Sequence, residues 1–199
     1  MKTKILALTA CLLCVFISSY SQTDKITLKT FGIGIHVEQF KLSNIDDGGE
    51  YLSPNKIIFT LSFKNNFRLE PEIGYRTATD NNSKDKVSAL GFSIGFMGMF
   101  QHGRLNFPIG VRIKDDIFTE NSTTTDFSGN SIKLKVTTSV FSAGPVIGAE
   151  YFLGDNFSVA GEIGLMLSNI SSKHDPSVSQ ETDISEFNTD TGLMLRFYF

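Results

Sequence analysis

The sequence is poor in cysteine, has no tryptophan and contains no long hydrophobic run. Its only cysteines, Cys11 and Cys14, lie near the N terminus, so the rest of the 199-residue chain has no disulfide, thiol nucleophile or cysteine metal site. A run of about 18 apolar residues, which a membrane-spanning α-helix requires, is missing. The formal charge of −3 argues against a nucleic-acid-binding protein, which would be basic. By its 41% hydrophobic residues and its mean hydropathy of −0.01, the chain resembles an ordinary globular protein.

The N-terminal segment has the pattern of a secretory signal peptide. Lys2 and Lys4 precede an apolar run at 5–17, and small and polar residues follow at 18–22. We therefore predict that residues 1–21 are removed and that residues 22–199 form a single domain. The loss of two lysines changes the formal charge from −3 to −5.

A lipoprotein box at 8–11, with Cys11 as the lipidated residue, is the alternative for this segment. Such a box normally follows the apolar core, whereas Cys11 lies inside the apolar run, so cleavage near Ser21 is the preferred interpretation.

Apolar residues alternate with polar or small residues in eight later segments. These segments are 31–38, 57–64, 67–76, 90–97, 105–113, 141–151, 157–167 and 192–199. One face of each segment carries no charge, and the opposite face carries five positive and five negative residues in total. These ten residues are Glu38, Lys64, Arg68, Glu70, Glu72, Arg76, Arg112, Glu150, Glu162 and Arg196.

This charge distribution distinguishes two kinds of β protein. A soluble sandwich or barrel buries its apolar face and exposes its charged face to water. Its interior could not hold these ten charges without a large desolvation cost. A membrane barrel turns its apolar face to lipid and its polar face to the lumen. The pattern therefore predicts an all-β protein that spans a membrane with its strands.

The connections between segments alternate in length. The short links are 65–66, 101–104 and 153–156, and the long links are 41–55, 77–86, 114–133 and 168–186. Three short periplasmic turns and four long external loops are the pattern of an eight-stranded antiparallel up-and-down transmembrane β-barrel. Both chain ends are then expected on the periplasmic side.

The alternation changes phase at two places. Ile26 and Leu28 are out of phase with the segment from Phe31, and the apolar residues at 132–136 are out of phase with the segment from Phe141. Each change predicts either a β-bulge or the point where a strand leaves the bilayer. The second change indicates that the sixth strand projects beyond the membrane.

Three stretches carry a family resemblance: 69–75 (LEPEIGY), 144–152 (GPVIGAEYF) and 192–199 (GLMLRFYF). Through them the mature chain resembles the outer-membrane β-barrel proteins of Gram-negative bacteria, of the OmpA/OmpX-like "porin family" type. The resemblance implies an outer-membrane location and a C-terminal signal, here Phe197 and Phe199, that the barrel-assembly machinery reads. It does not specify one activity, because the family hosts several.

An eight-stranded barrel has an interior just wide enough for side chains to fill it. We therefore predict that the arginines at 68, 76, 112 and 196 pair with the glutamates at 70, 72, 150 and 162 in a charge network that plugs the lumen. The predicted function is structural, or surface binding through the loops. The alternatives are a narrow porin for small solutes and a lipid-modifying enzyme.

Catalytic and cofactor-binding patterns are weak. Glu70 and Glu72 share a strand face and could serve acid–base chemistry, but lumen ion pairs explain them better. His36 lies beside Glu38 without an identifiable partner nucleophile. We predict that the protein is not an enzyme and has no cofactor.

The loops are acidic and rich in Ser, Thr, Asn and Asp. Residues 46–50 lack the spacing of a calcium loop, and neither His102 nor His174 has metal-ligand spacing, so no metal site is predicted. The expected partners are outer-membrane lipids, lipopolysaccharide and the assembly machinery, and no motif identifies a surface ligand. Aromatic residues near the short turns predict a belt at the headgroup level: Phe63, Phe67, Phe100, Phe107, Tyr151, Phe157 and Phe199.

Overall fold

The computed structural model describes residues 29–38, 54–63, 66–79, 86–125, 131–175 and 182–199. The predicted signal segment, the phase change at 26–28, the loop at 46–50, Lys64 and the side chain of His174 lie outside this description. The described residues form eight strands: β1 (Phe31–Val37), β2 (Lys56–Phe63), β3 (Phe67–Thr79), β4 (Lys86–His102), β5 (Leu105–Thr125), β6 (Ser131–Phe152), β7 (Phe157–Asp175) and β8 (Thr182–Tyr198).

The strands close into a single ring. Each strand pairs antiparallel with the next, and β8 pairs with β1 through Gly32↔Tyr198 and Val37↔Leu193. This confirms the predicted all-β, eight-stranded antiparallel up-and-down barrel. Within the described ranges, no helix has the length and apolarity needed to cross a membrane.

The two faces of each strand differ as the alternation predicts. On β1, Ile33 and Ile35 point outward and are exposed, whereas Gly32 and His36 point inward and are buried. This follows from the period of two in a strand, which turns successive side chains to opposite faces of the sheet. The barrel therefore has an apolar outer surface and a polar interior.

Aromatic side chains mark both edges of the apolar outer surface. At the edge near the β2–β3, β4–β5 and β6–β7 connections, the rings of Phe31 and Phe199 stack at 5.7 Å and those of Phe197 and Phe199 meet at 5.2 Å. At the opposite edge, Tyr75 and Phe187 are 63% and 68% exposed. Aromatic belts of this kind seat a barrel at the two headgroup regions.

The strands of the second half are much longer than β1 and β2. β5 and β6 contain 21 and 22 residues, against 7 and 8 in β1 and β2. Long links were expected at 77–86, 114–133 and 168–186, but strand structure leaves only 80–85, 126–130 and 176–181 between the strands. We call the part of the outer surface covered by apolar side chains the apolar band. Those expectations were wrong because the strands continue beyond this band, where outward-facing residues are no longer regularly apolar and the apolar–polar alternation is lost.

The phase change in β6 has a structural cause. The register between β5 and β6 is constant from Leu105↔Tyr151 to Thr125↔Ser131, so there is no bulge in this strand. Beyond Phe141 the outward side chains become polar and Val136 and Val140 occupy the inward positions. The sixth strand therefore continues past the apolar band with its polarity inverted, as expected for the part of a barrel wall that faces water.

The connection between β4 and β5 is a tight turn at Gly103. Its φ of 59° lies in the left-handed region, which glycine adopts without steric cost. We name the barrel end with the β2–β3, β4–β5 and β6–β7 connections the short-turn end and the opposite end the long-loop end.

The apolar band predicts that charged substitutions on β6 destabilise the barrel only where the strand faces lipid. Ile147 lies mid-way along the band and is 50% exposed, whereas Thr137 points outward on the same strand beyond the band. If the band faces lipid, replacing Ile147 by Arg should lower the free energy of unfolding in lipid vesicles by about 2–4 kcal/mol. Thr137→Arg should change it by less than about 1 kcal/mol. Urea unfolding followed by circular dichroism measures both, and equal effects would contradict the assignment.

Candidate functional site

Arg112 is the centre of the charged interior. It lies on β5, points inward and is fully buried. Its Nη1 donates to Glu72 Oε1 at 2.6 Å, and its Nη2 donates to Glu70 Oε2 and Glu162 Oε2, both at 2.8 Å. Its Nε donates to the second oxygen of Glu162 at 2.8 Å. The planar guanidinium thus joins carboxylates from β3 and β7, which its fixed fork of donors suits.

At the short-turn end, the Glu150 carboxylate on β6 is surrounded by cationic groups and hydroxyl donors. Arg68 Nη1 lies 2.8 Å from Glu150 Oε2, and Arg196 Nη1 lies 3.3 Å from Glu150 Oε1. The hydroxyls of Ser158 and Tyr198 both donate to Glu150 Oε1 at 2.6 Å. A buried carboxylate is tolerated when it is surrounded in this way, since each contact offsets part of its lost hydration.

Glu70 connects this end of the lumen to Arg112. Its Oε1 accepts from Arg196 Nη2 at 2.8 Å and from Arg68 Nη1 at 3.4 Å, while its Oε2 accepts from Arg112. Three guanidinium groups therefore share one carboxylate, and the charges at the short-turn end belong to the same network as Arg112.

Toward the long-loop end, His36 continues the network. Its Nδ1 lies 3.0 Å from Glu72 Oε1 and 3.6 Å from Glu38 Oε1. Glu38 is also 3.2 Å from Lys56 Nζ and 3.0 Å from Lys114 Nζ.

Two aspartates complete this end of the network. Lys56 pairs with Asp116 at 3.0 Å, and Lys114 pairs with Asp190. The polar contacts thus run without interruption from Arg68 to Asp190, with His36 as the link between Glu72 and Glu38.

The structure places most of the predicted lumen charges together. Seven of the ten residues are joined by direct ion pairs inside the barrel: Arg68, Glu70, Glu72, Arg112, Glu150, Glu162 and Arg196. An eighth, Glu38, joins them through His36, which contacts both Glu38 and Glu72. Lys64 lies outside the described residues.

Arg76 departs from the expected pairing. It lies on β3, where no ion pair joins it to any described carboxylate, and its Nη1 is buried without a hydrogen-bond partner. The expectation of a pair with Glu70 or Glu72 was wrong for two reasons. Glu72 is four residues away along the strand, roughly 13 Å, and both glutamates are already held by Arg112.

Several members of the network were missed by the sequence reasoning. They are His36, Lys56, Lys114, Asp116, Asp190 and Tyr198. His36 and Tyr198 lay on the lumen face without a network role, and the others lay at segment ends or in expected loops. The period of two along each strand could have identified some of them. Lys114 and Asp116 lie two and four residues after the inward-facing Arg112, and Lys56 lies two residues before the inward-facing Ile58.

Glycines make room for the charged groups. A Cβ on Gly192 would overlap His36 Nε2, and a Cβ on Gly95 would come within 3.2 Å of Arg112 Cζ. These two positions on β8 and β4 therefore allow the imidazole and the guanidinium to lie against the barrel wall.

Methionines fill the side of the lumen near β4, β6 and β7. Met97, Met99, Val146 and Met166 are buried and form one apolar cluster. The flexible methionine side chain fits irregular gaps, so this cluster occupies the space beside the charges.

One group in the lumen has the composition of a metal site. The ligand atoms of His36, Glu38 and Glu72 lie within 4.8 Å of one another. Lys56, Lys114 and Arg112 already neutralise these carboxylates, so a metal ion would have to displace cationic side chains. We therefore assign the group to the ion-pair network.

A family model covers most of the chain. The model of the family described as "Outer membrane protein beta-barrel domain" matches residues 7–197. Two similar solved structures are CarO2 and CarO of Acinetobacter baumannii. CarO2 is 10% identical, with a TM-score of 0.42, over 87% of this chain and 100% of that one. CarO is 12% identical, with a TM-score of 0.44, over 86% of this chain and 98% of that one. A search of the curated proteins gives no match.

The contacts of Arg112 predict unequal effects of arginine removal. Arg112→Ala leaves Glu162 without its ion-pair partner and should lower the free energy of unfolding by about 3–5 kcal/mol. Arg76→Ala breaks no ion pair among the described residues and should cost less than about 1 kcal/mol. Urea unfolding of the refolded barrel checks this.

The charge-neutral double variant Arg112→Ala/Glu162→Ala is the control. It also removes Glu162, whose one ion pair among the described residues is with Arg112, so it should be more stable than Arg112→Ala alone. An Arg76 variant as unstable as the Arg112 variant would contradict the assigned network.

Proposed function

The chain belongs to the outer membrane protein β-barrel domain family, and from this premise we propose that it works as a closed barrel. It is an outer-membrane β-barrel protein, and the role we assign to it is structural or surface binding rather than solute passage. The observation that supports this role is the continuous network of buried polar contacts through the lumen, with the ion pairs of Arg112 at its centre.

Two features of the lumen support closure. Arg68, Glu70 and Arg112 are fully buried, so the charged side of the interior leaves no water-accessible surface at these residues. The methionine cluster occupies another part of the interior. An ion in transit would have to break several buried ion pairs at once, each of which is costly to separate.

We propose that the short-turn end faces the periplasm and the long-loop end faces the cell exterior. This orientation is the usual one for bacterial barrels, which have short periplasmic turns. It places the extended parts of β5 and β6 outside the cell, where a binding surface would be accessible. It also requires export, for which residues 1–21 have the sequence pattern of a signal peptide.

The outer face supports the proposed lipid partners. Beyond the apolar band, Lys133 and Lys135 are exposed on β6, and their ammonium groups suit the anionic headgroups of lipopolysaccharide. At the other edge, Phe197 and Phe199 pack edge to face among the aromatic residues of the belt. We propose that these two residues also serve the barrel-assembly machinery as a recognition signal.

We propose no catalytic role. The ring nitrogen of His36 contacts Glu72 and Glu38, and the nearby Ser93 hydroxyl donates to Glu72. Within the described residues, the contacts of His36 are therefore those of a charge network rather than those of a nucleophile and its base. Lipid A mass spectra from cells with and without the protein test this, since a mass difference would support an enzyme.

Conductance separates a closed barrel from a narrow porin. The wild-type protein should give no steady current steps in planar bilayers. The Arg112→Ala/Glu162→Ala variant removes two large lumen side chains without changing net charge, and it should conduct because the centre of the network is lost. Reproducible steps from the wild-type protein would contradict the closed lumen.

Cysteine labelling tests the orientation. Cys11 and Cys14 are the chain's only cysteines and lie in the predicted signal peptide, so an introduced thiol is unique in the mature protein. Lys135→Cys lies beyond the long-loop edge of the band, and Asp155→Cys lies in the β6–β7 connection. A membrane-impermeant maleimide should label the first in intact cells and the second only after permeabilisation. The reverse pattern would overturn the orientation.

A further inference from the structure

Unpaired hydrogen-bond donors collect at the short-turn end of the lumen. Five inward-facing side chains contribute buried atoms that have no partner in the described protein. These atoms are Thr60 Oγ1, Ser62 Oγ, Arg68 Nε and Nη2, Asn106 Nδ2 and Oδ1, and Arg196 Nε. Buried polar groups normally find partners because an unpaired one costs free energy, so a group of them at one end of a lumen indicates an occupant.

The strand register brings several of these side chains together. Ser62 and Arg68 are direct cross-strand partners on the inward face of β2 and β3, which places their Cβ atoms about 5 Å apart. Thr60 is the next inward residue of β2, and Asn106 begins the inward face of β5 at the same end. Ser62 and Thr60 therefore lie beside Arg68 on the neighbouring strand, and Asn106 is the cross-strand partner of Glu150, which contacts Arg68.

The nearby carboxylate does not satisfy these donors. Glu150 Oε1 already accepts from Ser158, Tyr198 and Arg196, and Glu150 Oε2 contacts only Nη1 of Arg68. The Nε and Nη2 groups form another edge of the planar Arg68 guanidinium and have no hydrogen-bond partner among the described residues.

The formal charges at this end are balanced, with two arginines against two glutamates. Arg68 and Arg196 both contact Glu150, and they share their second carboxylate, Glu70, with Arg112. Acidic residues outnumber basic ones in the other half, where Glu38, Asp116 and Asp190 face Lys56 and Lys114. A negative charge is therefore better accommodated beside Arg68 than elsewhere in the network.

A depression on the rim of the barrel lies at the same end. It has a volume of about 530 Å³ and is lined by Thr30, Ser62, Phe63, Asn66 and Phe67. Ser62 is the buried residue in this lining and is also the cross-strand neighbour of Arg68.

We propose that the short-turn end of the lumen binds a small monovalent anion of halide size, held by Arg68, Ser62 and Thr60 with Asn106 nearby. Six of the unpaired atoms at this end can donate a hydrogen bond, two others, Asn106 Oδ1 and Glu150 Oε2, can only accept, and an anion can accept from several of the donors at once. This site goes beyond the closed-barrel role, since the barrel could be closed whether or not an anion is bound.

Chloride-dependent stability tests the site. The thermal unfolding temperature of the refolded barrel is measured against sodium chloride, with sodium gluconate holding the ionic strength constant. Binding to the folded state alone should raise this temperature in a saturable manner. Thr60→Val/Ser62→Ala removes two donors without touching an ion pair, and it should raise the half-saturating chloride concentration about tenfold.

Ser142→Ala is the matched control. Ser142 is also a buried lumen serine, but its hydroxyl already bonds to Ser168 at 2.7 Å. This variant should keep the wild-type chloride dependence. A stability that does not respond to chloride, or that responds equally in all three proteins, would overturn the site.

Bromide-soaked crystals give a second, independent result. An anomalous peak within about 4 Å of the Arg68 guanidinium is expected from hydrogen-bond and ion-pair distances. A peak at other positions only, or ordered water alone beside Arg68, would show that the donors are hydrated rather than bound to an anion. Neither the chloride titration nor the bromide experiment depends on whether the barrel conducts. The anion site and the closed lumen can therefore be disproved independently of each other.

Discussion

The need to pair charges inside a closed wall governs this molecule. Arg68, Arg112 and Arg196 are buried in the lumen, and guanidinium groups removed from bulk water are stable only when carboxylates surround them. Because an arginine cannot lose its proton to escape this cost, its position fixes where the acids must lie. Glu70, shared by all three, is the clearest result of that constraint.

The remainder of the barrel fits around this network. Gly95 and Gly192 leave space for Arg112 and His36, and Met97 and Met166 occupy space that the charges do not use. On the outside the chain is free of the constraint, so apolar residues such as Ile109 can face lipid without any particular partner. Each interior charge thus requires particular partners, whereas an outer position requires only an apolar side chain.

Sequence reasoning was most successful inside the apolar band, where the strand's period of two is visible as alternating apolar and polar residues. Arg68, Glu70 and Glu72 alternate with apolar residues, so their face was predictable from the chain alone. It was less successful beyond the apolar band, where Lys114 and Asp116 lay in what was expected to be a loop. It was wrong for Arg76, because charge balance on a face does not show which of several acids lies within reach.

The sequence by itself determined the alternation, the number of strands and the sign of each face, because these depend on a strand's period of two and on polarity. Only the tertiary structure decided which charges meet. Arg196 and Glu70 are 126 residues apart and lie within 2.8 Å because the ring closes between β8 and β1. The relative heights of residues on different strands follow from the register of every pairing around the barrel, and no local pattern contains that information.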